Sequence, residues 1–315
     1  MIRTAVVGVG YLGRFHAQKY AELPNSQLVG IADPAAAARE KLASELGVAA
    51  HEDYRDLLGA VDAVSIVTPT ASHFEVAKAF LEAGASVLVE KPMTVTIAEG
   101  ESLVEIAARV RRILQVGHLE RFNAAVLAVQ PTLTVPRFIE SARLAPFKHR
   151  GTDVDVVLDL MIHDIDLILS IVRSPVVSVD AIGSSVFSKE IDIANARLRF
   201  ANGCVANATA SRVSLKTERR LRLFQDDAYL SLDLQQKILT VIRKGSGVGA
   251  DGMPQVDIEE NTYEQGDALK SEIEAFLDAV ATGRPPPVTG EDGLLALRTA
   301  VSIGEQVASS MAKFS

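Results

Sequence analysis

One stretch of the sequence combines an apolar helix pattern with side chains that can move protons. Residues 154–172 carry apolar side chains at helical spacing and contain no Gly or Pro, which predicts a helix. Asp159 and His163 are four residues apart, so they share one face of that helix and can form a hydrogen bond. Buried ionisable groups are costly unless they are paired. The pair therefore indicates a metal site, a proton-transfer pair or a charged helix edge turned to water.

The metal interpretation is the weaker one. Asp166 could join Asp159 and His163 around a cation, but no further cluster of His or carboxylate residues completes the ligand shell. Cys204 is the only cysteine, which excludes an internal disulfide and a thiolate-rich metal site. We therefore predict no metal and expect Asp164 and Asp166 to face solvent or the surroundings of the helix.

The composition excludes several classes of partner. A net charge of −8 and a pI near 5.4 argue against a surface that binds nucleic acid or an anionic membrane. The N-terminus has no apolar core of signal length, and no later stretch approaches the roughly 20 uncharged residues of a membrane span. These features predict a soluble cytoplasmic protein.

The first 120 residues have the pattern of a dinucleotide-binding domain. An apolar run, Arg3 to Val7, leads into Gly8-Val9-Gly10-Tyr11-Leu12-Gly13, and an amphipathic segment follows. Gly8 allows a tight turn, Gly10 allows a pyrophosphate to approach the backbone, and Gly13 allows helix and strand to pack closely. A second apolar run ends in Asp33, which can accept hydrogen bonds from a ribose and would repel a 2′-phosphate. NAD is therefore predicted over NADP.

Strands and helices then alternate up to about residue 116, which predicts a doubly wound parallel sheet. Ligands bind at the carboxyl ends of such strands. The residues predicted to contact the cofactor are the loop residues Tyr11 and Leu12 with the three glycines and Asp33, and the strand-end residues Thr68, Pro69, Thr70, His73, Glu90, Lys91 and Pro92.

From about residue 122 the pattern changes to a helix followed by many short strands, which predicts a separate α+β domain with a large, mostly antiparallel open sheet. The expected domains are 1–121 and 122–315, with the C-terminal helices near their junction. Ala201-Asn202-Gly203 predicts a hairpin. Ala206, Ala208 and Ala210 form a small-residue strip that indicates either an oligomer interface or ordinary packing. Residues 245–265 are expected to form an edge loop.

The order of these motifs resembles the glucose–fructose oxidoreductase/inositol dehydrogenase/MocA family. The resemblance rests on the glycine fingerprint, Thr68-Pro69-Thr70-Ala71-Ser72-His73, Glu90-Lys91-Pro92, Asp159-x-x-x-His163 and the closing segment from Glu272 to Gly293. It implies an NAD(P)-dependent oxidoreductase that acts on a sugar or cyclitol hydroxyl. It also implies that the open sheet forms a subunit interface and that Lys91, Asp159 and His163 line the reaction centre.

The segments 117–123, 143–147 and 150–159 are similar to the branch related to UDP-N-acetylglucosamine 3-dehydrogenases, which oxidise the sugar C3 hydroxyl. In this interpretation His163 is the general base, Asp159 orients it and Lys91 stabilises the developing oxyanion, although Lys91 and His163 could exchange roles. The alternatives are a dehydrogenase of another UDP-sugar, a free sugar or inositol, and a non-catalytic NAD-binding sensor.

Several further residues are candidate substrate ligands. His118 and Arg121 follow the last Rossmann strand and are expected to face the domain cleft, where Arg121 binds a phosphate or forms an interdomain ion pair. Lys148 and Arg150 precede the helix of Asp159 and can form an anion site with its N-terminus, whose cap is expected among residues 152–155. Asp164 is a further candidate for substrate contact.

Overall fold

The computed structural model describes residues 1–148, 154–248, 253–264 and 266–313. The chain divides into two compact units, one of residues 1–119 and 267–295 and the other of residues 120–266 and 296–315. The expected change of domain after residue 121 lies within two residues of the first division. Residues 267–295, which were expected in the second domain, lie in the first unit.

The first unit contains a six-stranded sheet in the order β3-β2-β1-β4-β5-β6, in which all paired strands are parallel. The predicted doubly wound Rossmann sheet is therefore confirmed. Its strands are β1 Ile2–Val7, β2 Ser26–Ala32, β3 Ala49–His51, β4 Ala63–Ile66, β5 Ser86–Glu90 and β6 Leu114–Gly117. β1, β4, β5 and β6 are almost entirely buried, as strands covered on both faces must be.

The helices of this unit are α1 Gly13–Glu22, α2 Ala36–Leu46, α3 His73–Glu82, α4 Ile97–Val110 and α7 Ala268–Thr282. Local sequence explains their ends. Gly47 adopts φ +67° after α2, and Thr96 with Glu99 forms a capping box at the start of α4. None of the helices in the described ranges is long and apolar enough to span a membrane.

The second unit contains an eight-stranded sheet in the order β14-β13-β12-β11-β7-β10-β9-β8. Every pair is antiparallel except β10 with β7, so the predicted mostly antiparallel sheet is confirmed. Its strands are β7 Phe138–Leu144, β8 Val176–Ser184, β9 Ile193–Phe200, β10 Val205–Ser211, β11 Glu218–Phe224, β12 Ala228–Asp233, β13 Ile238–Val248 and β14 Pro254–Thr262. The predicted turn at 201–203 joins β9 and β10, and Gly203 has φ +89° there.

One face of this sheet packs against α5 Ala124–Val129 and α6 Ile162–Val172. Ala206, Ala208 and Ala210 lie on that covered face and are fully buried in the core. The suggestion that they form an oligomer interface is therefore wrong, and ordinary packing is correct. Their small side chains leave room for the helical segment that lies over β10. The last helix, α8 Gly290–Met311, begins in the first unit and continues in the second.

The expectation of an edge loop over 245–265 is also wrong for 245–248 and 254–262, which form strands, while 249–252 and 265 lie outside the described residues. β13 and β14 pair in antiparallel fashion from Ile238 opposite Thr262 to Val248 opposite Pro254, with an irregular register between Lys244 and Val248. β14 lies at the sheet edge and carries Asp257, Glu259 and Glu260. Charged side chains are usual on an edge strand, and here they hide the period of two that would reveal a strand.

Candidate functional site

The glycine loop between β1 and α1 has the geometry of a dinucleotide cradle. Gly8 has φ +85°, and a Cβ on it would lie 2.6 Å from the carbonyl oxygen of Val67. A Cβ on Gly13 would lie 1.8 Å from the carbonyl oxygen of Gly8. A Cβ on Gly10 would meet no atom within 4 Å, so the backbone of Gly10 is open to a ligand. Gly8 and Gly13 thus keep the turn tight, while Gly10 leaves the approach of a pyrophosphate unobstructed.

Asp33 follows β2 at the edge of a cavity of about 690 Å³ that is also lined by Gly8, Thr68 and Pro69. Its Oδ2 accepts a hydrogen bond of 2.8 Å from the backbone N–H of Val9, and its Oδ1 accepts one of 2.8 Å from Ala35. The carboxylate is therefore fixed next to the glycine loop. The size of this cavity is suited to one half of a dinucleotide, and among the carboxylates that line it Asp33 is the one that is hydrogen-bonded to the glycine loop.

His73 connects two of the strand-end clusters. Its Nε2 lies 2.9 Å from the carbonyl oxygen of Thr68, and its Nδ1 lies 3.0 Å from that of Pro92. Burial lowers the pKa of His73, which is 1% exposed, so the ring is neutral and donates to one carbonyl at a time. His73 thus packs behind Thr68-Pro69-Thr70 and connects it to Pro92. The peptide bond between Lys91 and Pro92 is cis.

A buried polar chain that was not predicted from the sequence lies behind Glu90. His16 Nε2 is 3.3 Å from Glu90 Oε1, His16 Nδ1 is 3.2 Å from Ser65 Oγ, and Ser65 Oγ is 2.8 Å from the hydroxyl of Tyr20. Burial raises the pKa of Glu90, but the contact with His16 and the charge of Lys91 outweigh it, so this pKa lies below its ordinary value. The spacing of His16 and Tyr20, one turn apart on α1, was the available signal.

Asp159 and His163 lie in the second unit, in a helical segment that differs from the expected α-helix. Residues Val157–Met161 form a π-helical turn, and α6 begins immediately after it at Ile162. Asp155 Oδ1 accepts hydrogen bonds from the backbone N–H groups of Val157 and Leu158, so the cap lies within the predicted range. Asp159 and His163 are half-buried, and the neighbours of His163 in the sequence, Ile162 and Asp164, are fully buried. A π-turn is rare and is frequently found at functional sites.

Asp164 was expected to face solvent or the surroundings of the helix, and it faces the latter. It is fully buried, and its two oxygens accept hydrogen bonds of 2.8 and 3.1 Å from Arg143, which also donates to Glu120 at 2.8 Å. Burial alone would lower the pKa of Arg143, but the carboxylates of Asp164 and Glu120 together outweigh it and raise this pKa above its ordinary value. A buried carboxylate whose two oxygens both accept hydrogen bonds from a guanidinium is poorly placed to bind a ligand as well. We therefore assign Asp164 to holding α6 on the sheet rather than to binding substrate.

Asp166 is also buried rather than solvent-facing, and it forms a two-pronged ion pair with Arg121 at 2.6 and 2.7 Å. Arg121 was expected to bind a phosphate or to form an interdomain ion pair. It forms an ion pair, but its partner Asp166 lies in the same unit. In the other unit His118 follows β6 and is 1% exposed. Lys148 is exposed, whereas Arg150 lies outside the described residues. Within the described ranges, no group of three or more His, Cys, Asp or Glu side chains could hold a metal ion.

Comparisons with known proteins agree with this geometry. Residues 2–118 match the family model described as "Oxidoreductase family, NAD-binding Rossmann fold", and residues 147–313 match the "C-terminal alpha/beta domain" of the same family. The chain is 42% identical over 303 residues to the UDP-N-acetylglucosamine 3-dehydrogenase of Acidithiobacillus ferrooxidans, with 96% of each chain covered.

A crystal form of that enzyme superposes with a TM-score of 0.93 at 41% identity, covering 98% of each chain. The scyllo-inositol 2-dehydrogenase (NAD(+)) of Bacillus subtilis is 26% identical, with 96% of this chain and 92% of that protein covered. Both domain models match in order, and together they cover most of the sequence. The chain therefore belongs to the glucose–fructose oxidoreductase/inositol dehydrogenase/MocA family of oxidoreductases.

Proposed function

We propose that this protein oxidises the C3 hydroxyl of UDP-N-acetylglucosamine to a ketone with NAD as the acceptor. The observation that carries the proposal is the 42% identity to an enzyme of that name over 96% of both chains. The inositol dehydrogenase, at 26% identity, is much more distant. The match extends through the second unit, which carries Asp159 and His163.

NAD would be held by the glycine loop and Asp33. The open backbone at Gly10 and the N-terminus of α1 suit a pyrophosphate, and the Asp33 carboxylate suits a ribose with a free 2′-hydroxyl. A 2′-phosphate would place two negative charges beside the carboxylate, which favours NAD over NADP. Bound NAD supplies a hydride acceptor at the substrate carbon.

The residues of the chain move the proton and stabilise charge. His163 takes the proton from the substrate hydroxyl, because imidazole is the side chain whose ordinary pKa lies nearest to neutrality. Asp159, one helical turn earlier, orients the ring and stabilises the imidazolium. Lys91 donates a hydrogen bond to the reacting oxygen and stabilises its developing negative charge. His163 and Lys91 could exchange the roles of base and oxyanion donor, and their variants would tell these roles apart.

Basic side chains would bind the diphosphate of the substrate. Arg121, Lys148 and Arg150 are the candidates, with His118 as a further contact to the sugar. Arg121 is already oriented by Asp166, so its guanidinium is held in one position, and a fixed guanidinium suits recognition of a phosphate. The diphosphate would then account for a preference for a nucleotide sugar over a free sugar.

The proposal is tested by following NADH absorbance with UDP-N-acetylglucosamine, other UDP-sugars, free N-acetylglucosamine and myo-inositol. UDP-N-acetylglucosamine should give a kcat/KM at least about tenfold above any other compound in the set. Faster turnover of another UDP-sugar, a free sugar or inositol would move the substrate assignment to that compound. If NAD binds but no member of the set is oxidised, a non-catalytic sensor would be favoured over an enzyme.

We further propose that the protein is a homo-oligomer that associates through the second sheet. The face opposite the helices carries partly exposed polar side chains, including Glu140, Asn207 and Arg222. Sedimentation should give a mass at least twice the 33.7 kDa of one chain. Arg222 lies 3.3 Å from Glu140, so Arg222→Glu would bring two carboxylates together on this face and should shift the protein towards monomer. A monomeric wild type would contradict the proposal.

A further inference from the structure

Glu272 on α7 is a buried carboxyl group that the proposed mechanism does not use. The residue is 0% exposed, and among the described residues neither of its carboxyl oxygens has a hydrogen-bond partner. An ionised carboxylate without a partner in such a place would cost several kcal/mol, so the group is held as the neutral acid. In agreement, burial and then the charge of Glu90 raise the pKa of Glu272 well above its ordinary value.

Glu272 and Glu90 lie over the same face of β6. The side chain of Gln115 donates a 3.2 Å hydrogen bond to the backbone carbonyl of Glu272. Two residues further along the strand, a Cβ on Gly117 would lie about 3.0 Å from both carboxylate oxygens of Glu90. Side chains two residues apart on a strand point to the same side. The glycine therefore leaves the space that the Glu90 carboxylate occupies, next to the neutral acid.

Contacts on two sides hold the Glu90 carboxylate in place. It contacts His16 at 3.3 Å, and its Oε2 accepts a hydrogen bond of 3.2 Å from the backbone N–H of Lys91. The polar or ionisable side chains around Glu90 and Glu272 are His16 and Tyr20 of α1, Ser65 of β4 and Gln115 of β6. Lys19 lies on the outer side of α1, where it pairs with Glu22 and Asp267.

We propose that Glu272 is a positioning residue for the Glu90-Lys91-Pro92 turn. As a neutral acid it lets the Glu90 carboxylate stay against His16 and the Lys91 backbone; as a carboxylate it would repel Glu90 and displace Lys91. This inference rests on the proposed function in one respect, which is that Lys91 acts at the reacting oxygen of the substrate. Its consequence is an alkaline limit to cofactor binding and turnover that is set in the protein interior rather than at the substrate.

Thermal unfolding against pH tests the titration without any substrate. A group whose pKa is raised on folding costs stability progressively as the pH rises from about 4.5, its unfolded value, to the raised folded value. Glu272→Gln cannot ionise, so the melting temperature of the variant minus that of the wild type should increase with pH. Glu274→Gln is the matched control, because Glu274 lies on the exposed side of the same helix with its side chain 50% exposed. A purely structural glutamate would give an offset that does not change with pH, and that result would overturn the proposal.

NAD binding against pH tests the positioning. The dissociation constant of the wild type should rise by about tenfold at alkaline pH, and in Glu272→Gln this rise should be largely lost. Glu274→Gln should follow the wild type. Equal pH profiles in wild type and Glu272→Gln would overturn the proposal even if their stabilities differ. Because neither measurement needs a sugar, a failure to oxidise UDP-N-acetylglucosamine would count against the proposed function and not against this inference.

Infrared spectroscopy of the wild type keeps the inference testable if Glu272→Gln does not fold. A protonated carboxyl band should persist at pH 7, where ordinary glutamates are ionised, and should disappear at alkaline pH. Glu90→Gln removes the neighbouring negative charge, so the same band should titrate at a lower pH. Absence of a protonated carboxyl at pH 7 would overturn the proposal.

Discussion

Replacing Arg143 by Met removes the cation that holds α6 on the sheet. The Arg143 side chain is 4% exposed, that of Asp164 is 1% exposed, and three N–H···O contacts of 2.8 to 3.1 Å join Arg143 to Asp164 and Glu120. Loss of one partner leaves an uncompensated buried carboxylate, which costs about 3–5 kcal/mol. We expect the free energy of unfolding to fall by that amount.

Urea-induced unfolding followed by circular dichroism measures this loss as a lower midpoint with an unchanged slope. Arg137→Met is the matched control. Arg137 also makes two contacts with one carboxylate, at 3.0 Å each to Asp226, but both side chains are more than 70% exposed. Water solvates Asp226 when its partner is removed, so the control should unfold close to the wild-type midpoint.

Equal losses in the two variants would show that burial of the ion pair is not what makes Arg143 important, because burial is the feature that separates the two pairs. A second check is the double variant Arg143→Met with Asp164→Leu. Removing both charges should recover part of the lost stability, since an apolar pair of similar volume avoids the desolvation of the carboxylate. A double variant that is less stable than Arg143→Met alone would contradict this account.

The remaining predictions concern the cofactor and the proton. Gly13→Ala should lower the melting temperature and weaken NAD binding by about 100-fold, because its Cβ would lie 1.8 Å from the Gly8 carbonyl oxygen. Gly10→Ala should weaken NAD binding but leave the melting temperature unchanged. Calorimetry measures both quantities, and a lower melting temperature in Gly10→Ala than in Gly13→Ala would contradict these assignments. Asp33→Ala should weaken NAD binding by about tenfold and narrow the difference between NAD and NADP, as measured by titration with both cofactors; an unchanged ratio would contradict the ribose assignment. His163→Ala should reduce kcat by at least about 100-fold with NAD binding intact, and Asp159→Asn should have a smaller effect; unchanged steady-state turnover of His163→Ala would exclude it as the base.

The Rossmann half of the fold could be predicted because its signals are local. Each strand of the sheet except β3 is an apolar run next to a glycine or a helix pattern, and the glycine loop carries its own steric requirement. β3 has three residues, Ala49 to His51, none of them fully buried. A run of three residues is too short to show the alternation of apolar and polar residues that predicts a strand. β3 is recognised as a strand only by its pairing with β2.

The candidate site in the second unit was predicted less completely. Spacing placed Asp159 and His163 in one helix, but the choice of a π-turn depends on hydrogen bonds that an α-helical pattern does not reveal. Asp164 and Asp166 looked like a solvated edge because their partners, Arg143 and Arg121, are 21 and 45 residues away in the sequence. Local patterns show that a charge is present, while its burial depends on such distant partners.

The same limit applies to the alanine strip on β10 and to Glu272. Alternation showed that Ala206 and Ala208 share a face, but it could not show which face the helices cover. Glu272 looked like an ordinary helix residue within a family pattern, because its burial is set by the packing of α7 against α1 and by Gln115 on a distant strand.

Isotope transfer tests most directly whether the protein oxidises C3 of UDP-N-acetylglucosamine. The wild-type protein would be incubated with NAD and with UDP-N-acetylglucosamine that carries deuterium at C3 of the sugar, and the reduced nicotinamide would be analysed by mass spectrometry. We expect one deuterium in every reduced cofactor and a 3-keto sugar nucleotide as the product. Reduced cofactor without deuterium, or no reduction of bound NAD, would contradict this expectation.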